Sequence, residues 1–292
     1  MSRRFALLVN PAAGGGRALA RLPDFVAAFE RHGAVHRVIE TRDPTHAQRE
    51  ARDAHQRGEI IAALGGDGML RPLAEVLRDT DATLAILPGG RGNDLARVLG
   101  IPSDPAAAVG VAVEGEQRML DVASVGGRPY LGIASFGFDS DANRIANEAR
   151  LIRGNLVYLY AALRALAGWR PASFTVTVDG ERHELEGYSV AVANSSAYGG
   201  GMFLAPQAVL DDGQLDVVAT SKTPKLHCVR MLPRVFSGRH LSDPSVHTWR
   251  GRSIELAADR PFTIYADGDP IAELPATVSV SQRCLRVIAS PK

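Results

Sequence analysis

The chain has 292 residues, of which 46% are hydrophobic and 22% charged, and its formal net charge is +1. That is an ordinary globular composition, long enough for one large domain or, more in keeping with usual domain sizes, two. A near-neutral balance argues against a polybasic nucleic-acid footprint. Cys228 and Cys284 are the only cysteines. With scattered histidines they form no zinc pattern, and a reduced cytosolic setting is the default. The apolar start after Arg4 is too short for a signal peptide. The longest greasy segment, Leu156 to Leu163, is cut by Arg164, well short of the ~20 residues a membrane span takes.

The first third alternates strands and helices. Phe5 to Val9 reads as a strand, followed by the loop Asn10-Pro11-Ala12-Ala13-Gly14-Gly15-Gly16 and a helix with Leu19, Leu22, Val26 and Phe29 on one face. Ala34 to Glu40 is a second strand and Pro44 to Arg57 a polar, exposed helix. Ile60 to Leu64 is apolar throughout, as a strand buried on both faces of a parallel sheet is, and it stops at Gly65-Gly66-Asp67-Gly68. A helix from Met69 to Arg78 follows, with Pro72 expected in its first turn. Thr83 to Leu87 is the fourth strand, closed by Pro88-Gly89-Gly90-Arg91-Gly92-Asn93-Asp94 and the short helix Leu95 to Leu99. Three times an apolar strand ends in a glycine-bearing loop that opens a helix. This is the pattern of a doubly wound, mostly parallel sheet, whose ligands bind where strand carboxyl ends meet the loops.

Beyond a helix at Pro105 to Glu114 the texture changes. Met119 to Val125 and Pro129 to Ile133 flank Gly126-Gly127-Arg128, while Phe174 to Val178 and Glu181 to Leu185 bracket Asp179-Gly180; both read as hairpins. Further strands are expected at Tyr188 to Ala193, Leu215 to Thr220, Ser253 to Ala257, Phe262 to Ala266, Thr277 to Val280 and Leu285 to Ala289. Helices are expected at Leu151 to Leu166 and Lys225 to Phe236. The expected division is an α/β domain over residues 1–118 and a mainly antiparallel, β-sandwich-like domain with two helices over 119–283. The last strand, about 284–292, is expected to return to the first domain, with a ligand cleft between the two.

The glycine loops gather amide N–H groups and positive helix ends where a polyanion could lie. The chain has neither a G-x-x-x-x-G-K-S/T sequence nor a G-x-G-x-x-G opening its first helix, which argues against a P-loop and a dinucleotide fingerprint. Taken in order, the motifs are Asn10-Pro11 with its glycines, Gly65-Gly66-Asp67-Gly68, Pro88 to Asp94 with Ala96-Arg97, Gly137-Phe138-Asp139, and Asp267-Gly268-Asp269. Over nearly the whole chain this set resembles the diacylglycerol kinase catalytic family, which also holds sphingosine and ceramide kinases and bacterial lipid kinases.

What the resemblance implies is an ATP- and Mg-dependent lipid kinase that phosphorylates the free hydroxyl of diacylglycerol to phosphatidic acid. By that likeness the nucleotide contacts fall to Asn10, Thr41, Gly65, Gly66, Asp67, Gly68, Met69, Leu70, Arg71, Gly89, Gly90, Arg91, Asn93 and Asp94. Asp67 is assigned to Mg or the phosphates, its plain alternative being to cap the helix that follows. Asp269 falls at the family's catalytic glutamate and Asp121 at a second carboxylate near it. An aspartate is shorter by about 1.5 Å, so the backbone sits closer or a water relays the proton. Val209, Asp212 and Gln214 match a structural Mg loop of one carboxylate and two main-chain carbonyls; an Asp-Gly turn explains the same residues without a metal.

Met69 and Pro72 stand where the family has Thr and Glu, and Arg91 replaces a common Thr. We read these as altered phosphate contacts, with Arg91 pairing directly with a phosphate. The alternatives are a kinase for another lipid alcohol such as a sphingoid base or ceramide, an NAD kinase, or a non-catalytic nucleotide-binding protein. Leu156 to Leu163 with Arg150, Arg153, Arg164 and Arg170 either cover a sheet or dock on a membrane. Tyr198 to Phe203 either line an acyl groove or form a flexible glycine loop. The expected setting is cytoplasmic, transiently at the inner membrane surface, with a lipid substrate there, no nucleic acid partner and a homodimer left open. His183 and His227 show no partner pattern.

Overall fold

A computed structural model describes residues 3–138, 140, 141, 145 and 156–291. It divides into two compact units, Met1–Val122 with Gln282–Lys292, and Ala123–Ser281. Asp139, Arg150, Arg153 and the first part of the expected Leu151 to Leu166 helix lie outside the described residues.

The first unit is built on β1 (Arg4–Val9), β2 (Val35–Glu40), β3 (Ile60–Gly65) and β4 (Thr83–Pro88), all parallel in the order β2-β1-β3-β4. The C-terminal part of β15 (Ala276–Ala289) continues the parallel set beside β4. The central β3 and β4 are almost wholly buried, which is why they carry no polar face. Around them lie α1 (Arg17–Arg31), α2 (Pro44–Gln56), α3 (Asp67–Leu77), α4 (Asp94–Val98) and α5 (Pro105–Glu114). Two helices start on side-chain caps: the Asp43 carboxylate accepts from His46 N at 2.7 Å, and Asp104 from Ala107 N at 3.0 Å.

Three expectations change here. α1 buries Ala18, Phe25, Ala28 and Phe29, and Leu19 is left 38% exposed. The bulkiest rings decide the face, with Phe29 against Phe5 at 5.0 Å between centroids. α2 is not polar all round, because Ala47, Ala51 and Ala54 form a buried stripe at helical spacing. α3 begins at Asp67, two residues early, so Pro72 lies inside the helix and not in its first turn. The ring removes an intrahelical donor there, and the Pro72 carbonyl accepts from Gln48 Nε2 at 3.1 Å.

In the second unit the strands are β6 (Arg128–Tyr130), β7 (Ile133–Gly137), β8 (Ala172–Val178), β9 (Glu181–Ala193), β10 (Leu215–Ser221), β11 (Val246–Gly251), β12 (Ser253–Ala258), β13 (Thr263–Ala266) and β14 (Asp269–Glu273), with helices α6 (Leu156–Gly168) and α7 (Lys225–Val235). β5 (Glu116–Val125) brings the chain in from the first unit and turns at Gly126-Gly127 into β6. The pairings are antiparallel, along β14-β13-β7-β9-β8-β12-β15, with β10 joining β9 to β11. Tyr188 to Ala193 is no separate strand. It continues the arm that starts at Glu181, which pairs first with β8 and then with β7. Likewise Thr277 to Val280 and Leu285 to Ala289 belong to one strand. The expected Pro129 to Ile133 strand divides into the end of β6 and the start of a separate β7, and β7, β11 and β14 were not expected as strands. β14 ends the pairing path and carries Pro270, a residue that an edge strand tolerates because no neighbour needs its missing N–H. The core holds Tyr130, Phe136 and Phe174, with Phe136 edge-on to Phe174 at 5.3 Å.

Candidate active site

Adjacent parallel strands end side by side, so the loops after β1, β3 and β4 meet. Asn10 N donates to Leu64 O at 3.0 Å and Gly89 N to Gly65 O at 2.8 Å. A Cβ on Gly14, whose φ is +63°, would lie 2.8 Å from Gly89 O, and one on Gly66 3.1 Å from the Gly90 Cα. The three loops therefore pack backbone on backbone, and only glycine fits between them. Asn93, in the left-handed region at φ 52°, clamps the third loop. Its Oδ1 accepts from Gly90 N at 2.8 Å and its Nδ2 donates to Gly90 O at 3.1 Å. Asn10 Oδ1 accepts from Ala12 N at 3.1 Å and shapes the first loop.

Asp67 opens α3 but caps another helix. Its carboxylate accepts from Asp94 N at 3.1 Å and Leu95 N at 3.2 Å at the start of α4. It is thus a brace between the second and third loops, whereas the sequence alternative had pointed to its own helix. Asp94 pairs with Arg97 at 2.7 Å. Thr41 is buried and donates its hydroxyl to Val9 O at 3.0 Å. Met69 is buried with its side chain over Gly65, where a Cβ would lie 2.7 Å from the sulfur, so this departure puts an apolar group under the loop. Leu70 is buried, Arg71 half-buried and Arg91 exposed. A cavity of about 170 Å³ brings Asn10, Thr41, Gly68 and Met69 together with Arg42, Asp43 and Pro72. Sequence reasoning missed Arg42 and Asp43, for which adjacency to Thr41 was the one available signal. Asp121 is 0% exposed and accepts from Arg283 N at 2.7 Å, where β15 passes through φ 47°.

In the second unit the two aspartates of the late motif divide. Asp267, at φ 52°, accepts from Leu131 N and Gly132 N, each at 2.9 Å, and so ties the β13–β14 turn to the segment before β7. Asp269 is the exposed first residue of β14. Nearby, the buried Tyr130 hydroxyl donates to Val192 O at 3.0 Å. Burial first, and the Asp267 charge second, push this phenol well above its ordinary range.

The loop from Val209 to Gln214 folds on itself: Asp212 Oδ1 accepts from Gln214 N at 2.9 Å, and its Oδ2 is ion-paired with Arg250. Asp216 is buried, its Oδ1 lies 3.6 Å from Arg250 Nε, and among the described residues its Oδ2 has no hydrogen-bond partner. Burial raises the Asp216 carboxyl, Arg250 opposing and Asp212 adding to the rise. Both carboxylates thus face one guanidinium, that of Arg250. Among the described residues no group of three or more His, Cys, Asp or Glu side chains could hold a metal.

A second cavity, of about 630 Å³, is bordered by Asp141, Trp169, Arg170, Arg260, Phe262 and Tyr265, among others. The Arg260 guanidinium lies over the Trp169 and Phe262 rings, 5.5 and 5.1 Å from their centroids, and donates to the Pro171 and Arg170 carbonyls. Among the described residues the buried Trp169 Nε1 has no hydrogen-bond partner. Nothing in the sequence reading flagged Trp169 or Arg260. The Tyr198 to Phe203 stretch is a tight turn closed by backbone hydrogen bonds in both directions between Tyr198 and Met202. His227, partnerless in sequence, meets Asp243 at 2.9 Å, and His183 stacks on Trp249 at 4.6 Å.

One unit is thus a parallel α/β sheet with three interlocked glycine loops, and the other an antiparallel sheet with a late Asp-Gly-Asp turn. The diacylglycerol kinase catalytic domain matches residues 4–125, and the YegS C-terminal NAD kinase beta sandwich-like domain matches residues 132–289. The chain is 31% identical to a diacylglycerol kinase of Mycobacterium tuberculosis over 96% of its own length and 93% of the relative's. It is 26% identical to one of Bacillus subtilis over 98% and 96%, and 32% identical to a YegS-like lipid kinase of Pseudomonas aeruginosa over 90% and 87%. A crystal structure of a diacylglycerol kinase from Bacillus anthracis shares the fold, with a TM-score of 0.75 over 99% of this chain and 97% of that one at 22% identity. The chain belongs to the diacylglycerol kinase family and is by class a lipid kinase.

Proposed function

We propose that the chain transfers the terminal phosphate of ATP, with Mg, to the free hydroxyl of diacylglycerol, giving phosphatidic acid. The observation that carries this reading is the backbone-on-backbone packing of the three glycine loops, held by Asn93 and Asp67, which leaves amides rather than side chains to meet phosphate oxygens. Arg91, exposed on the third loop, adds a cation for the transferred group. Asp269 accepts the proton of the lipid hydroxyl as that oxygen bonds to the terminal phosphorus and the bond to the ADP oxygen breaks. Asp121 acts as a positioning residue through Arg283. When bound, Mg neutralises phosphate charge; a further ion would be held by Asp212 with the Val209 and Gln214 carbonyls. The orphaned Trp169 Nε1 supports a polar lipid group in the second cavity.

The test is phosphate transfer from labelled ATP with Mg to diacylglycerol, ceramide and sphingosine in mixed micelles. Diacylglycerol alone is expected to be labelled. Labelling of ceramide or sphingosine would move the substrate to another lipid alcohol. ATP binding with no labelled lipid would favour a non-catalytic nucleotide-binding protein.

A further inference from the structure

The helix α7 carries an exposed stripe that the catalytic reading does not use. Leu226, Arg230, Pro233 and Phe236 follow one another at helical spacing and are all exposed, Leu226 by 61% and Phe236 by 49%. The opposite side is committed to the interior: Met231 is buried, and Cys228 and Val229 pack against the second unit's core. From Ser221 to Ser242 the sequence holds Lys222, Lys225, Arg230, Arg234 and Arg239 and no Asp or Glu. Lys222 and Arg234 pair with Glu186 and Asp243, whereas Lys225, Arg230 and Arg239 have no carboxylate partner among the described residues. At its start α7 meets α6, where Lys225 Nζ donates to Ala167 O at 2.8 Å. α6 exposes Tyr160 and Leu163, carries Arg164, and likewise has no acidic residue.

A chain whose net charge is only +1 thus concentrates unbalanced cations around bare Leu and Phe side chains on one helix. An aqueous surface gains nothing from that arrangement. A bilayer with anionic headgroups takes both halves: the apolar side chains enter the headgroup and acyl boundary, and the cations stay at phosphate depth. We infer that the exposed face of α7 docks the protein on an anionic phospholipid surface. This rests on the reading that the substrate is a membrane lipid, and it assigns the docking to α7, whereas the sequence left Leu156 to Leu163 open between covering a sheet and docking on a membrane.

The test is sedimentation with phosphatidylcholine vesicles, with and without phosphatidylglycerol, in the absence of ATP and diacylglycerol. Wild type is expected to bind the phosphatidylglycerol vesicles and to be released by high salt. The Leu226→Asp/Phe236→Asp and Arg230→Glu/Arg239→Glu pairs are each expected to lose about tenfold in vesicle partition. Their melting temperatures, and phosphate transfer to a short-chain diacylglycerol dispersed as monomers, should not change. Unchanged partition in both pairs would overturn the inference, as would a wild-type dimer that Leu226→Asp/Phe236→Asp converts to monomer without altering partition. Normal docking with no transfer to any lipid would sink the kinase reading and leave the docking face standing.

Discussion

The second glycine loop and the late Asp-Gly-Asp turn look alike in sequence and are built to opposite ends. In both, an aspartate accepts two backbone amides from a distant segment: Asp67 those of Asp94 and Leu95, Asp267 those of Leu131 and Gly132. Around Asp67 the neighbouring residues are glycines pressed against other glycines, and the groups left over are amides. After Asp267 the next carboxylate, Asp269, is left exposed at the first position of a strand. On the proposed reading the first turn holds an anion and the second presents a base. An aspartate beside glycine is thus as readily a scaffold as a reagent, and only its partners tell which.

The sharpest way to separate the two regions is Asp269→Asn. It replaces the proposed base by a neutral side chain of the same size, and turnover should fall about 10²–10⁴-fold in the lipid transfer assay, with thermal stability unchanged. Asp267→Ala should do the reverse. It leaves the Leu131 and Gly132 amides without their acceptor, so stability should drop by about 1–3 kcal/mol in urea unfolding. If Asp269→Asn were active and Asp267→Ala stable, neither role would stand.

Acid unfolding probes the helix that carries the proposed docking face. Burial alone would raise the Asp243 carboxyl, but hydrogen bonds from the Ser245 hydroxyl, His227 and the Ser245 amide outweigh it and hold the group at about 2. Its folded value lies below its unfolded one, near 3.8. Its stabilising contribution is therefore complete above about pH 4 and lost as pH falls towards 2. Melting temperature should decline more steeply over that window in wild type than in Asp243→Asn. The smallest effect expected is at the first region: Arg91→Thr should raise the KM for ATP about threefold to tenfold while stability holds, because the side chain is exposed and its loop is clamped by Asn93.

Most of the first unit was legible because its strands are buried on both faces and its loops are punctuated by glycine. The parallel set and the meeting of the loops follow from that pattern, whereas the strand order was not read from it. The face of α1 was misread because periodicity counts Leu and Val equally with Phe, and the rings decided the packing. The helix starting at Asp67 was begun two residues late because Gly65 to Gly68 read as one loop, although an acid in the first turn suits the positive helix end. In the second unit β14 was hidden by Pro270, and β9 and β15 were each split at residues whose polarity reflects an exposed stretch of a longer strand. The glycine positions marked the three interlocked loops, but no local signal marked Trp169, Arg260 or Asp216, whose surroundings come from remote segments.

The central claim is that the glycine loops of the first unit bind the nucleotide and Asp269 of the second does the proton chemistry. It is tested most directly by titrating ATP with Mg calorimetrically into wild type, Gly90→Ala and Asp269→Asn. A methyl group on Gly90 would collide with the Gly66 Cα and part the two loops. ATP binding should therefore be lost in Gly90→Ala, in a chain that still unfolds cooperatively, and be unaltered in Asp269→Asn. Equal ATP affinity in wild type and Gly90→Ala would contradict the account.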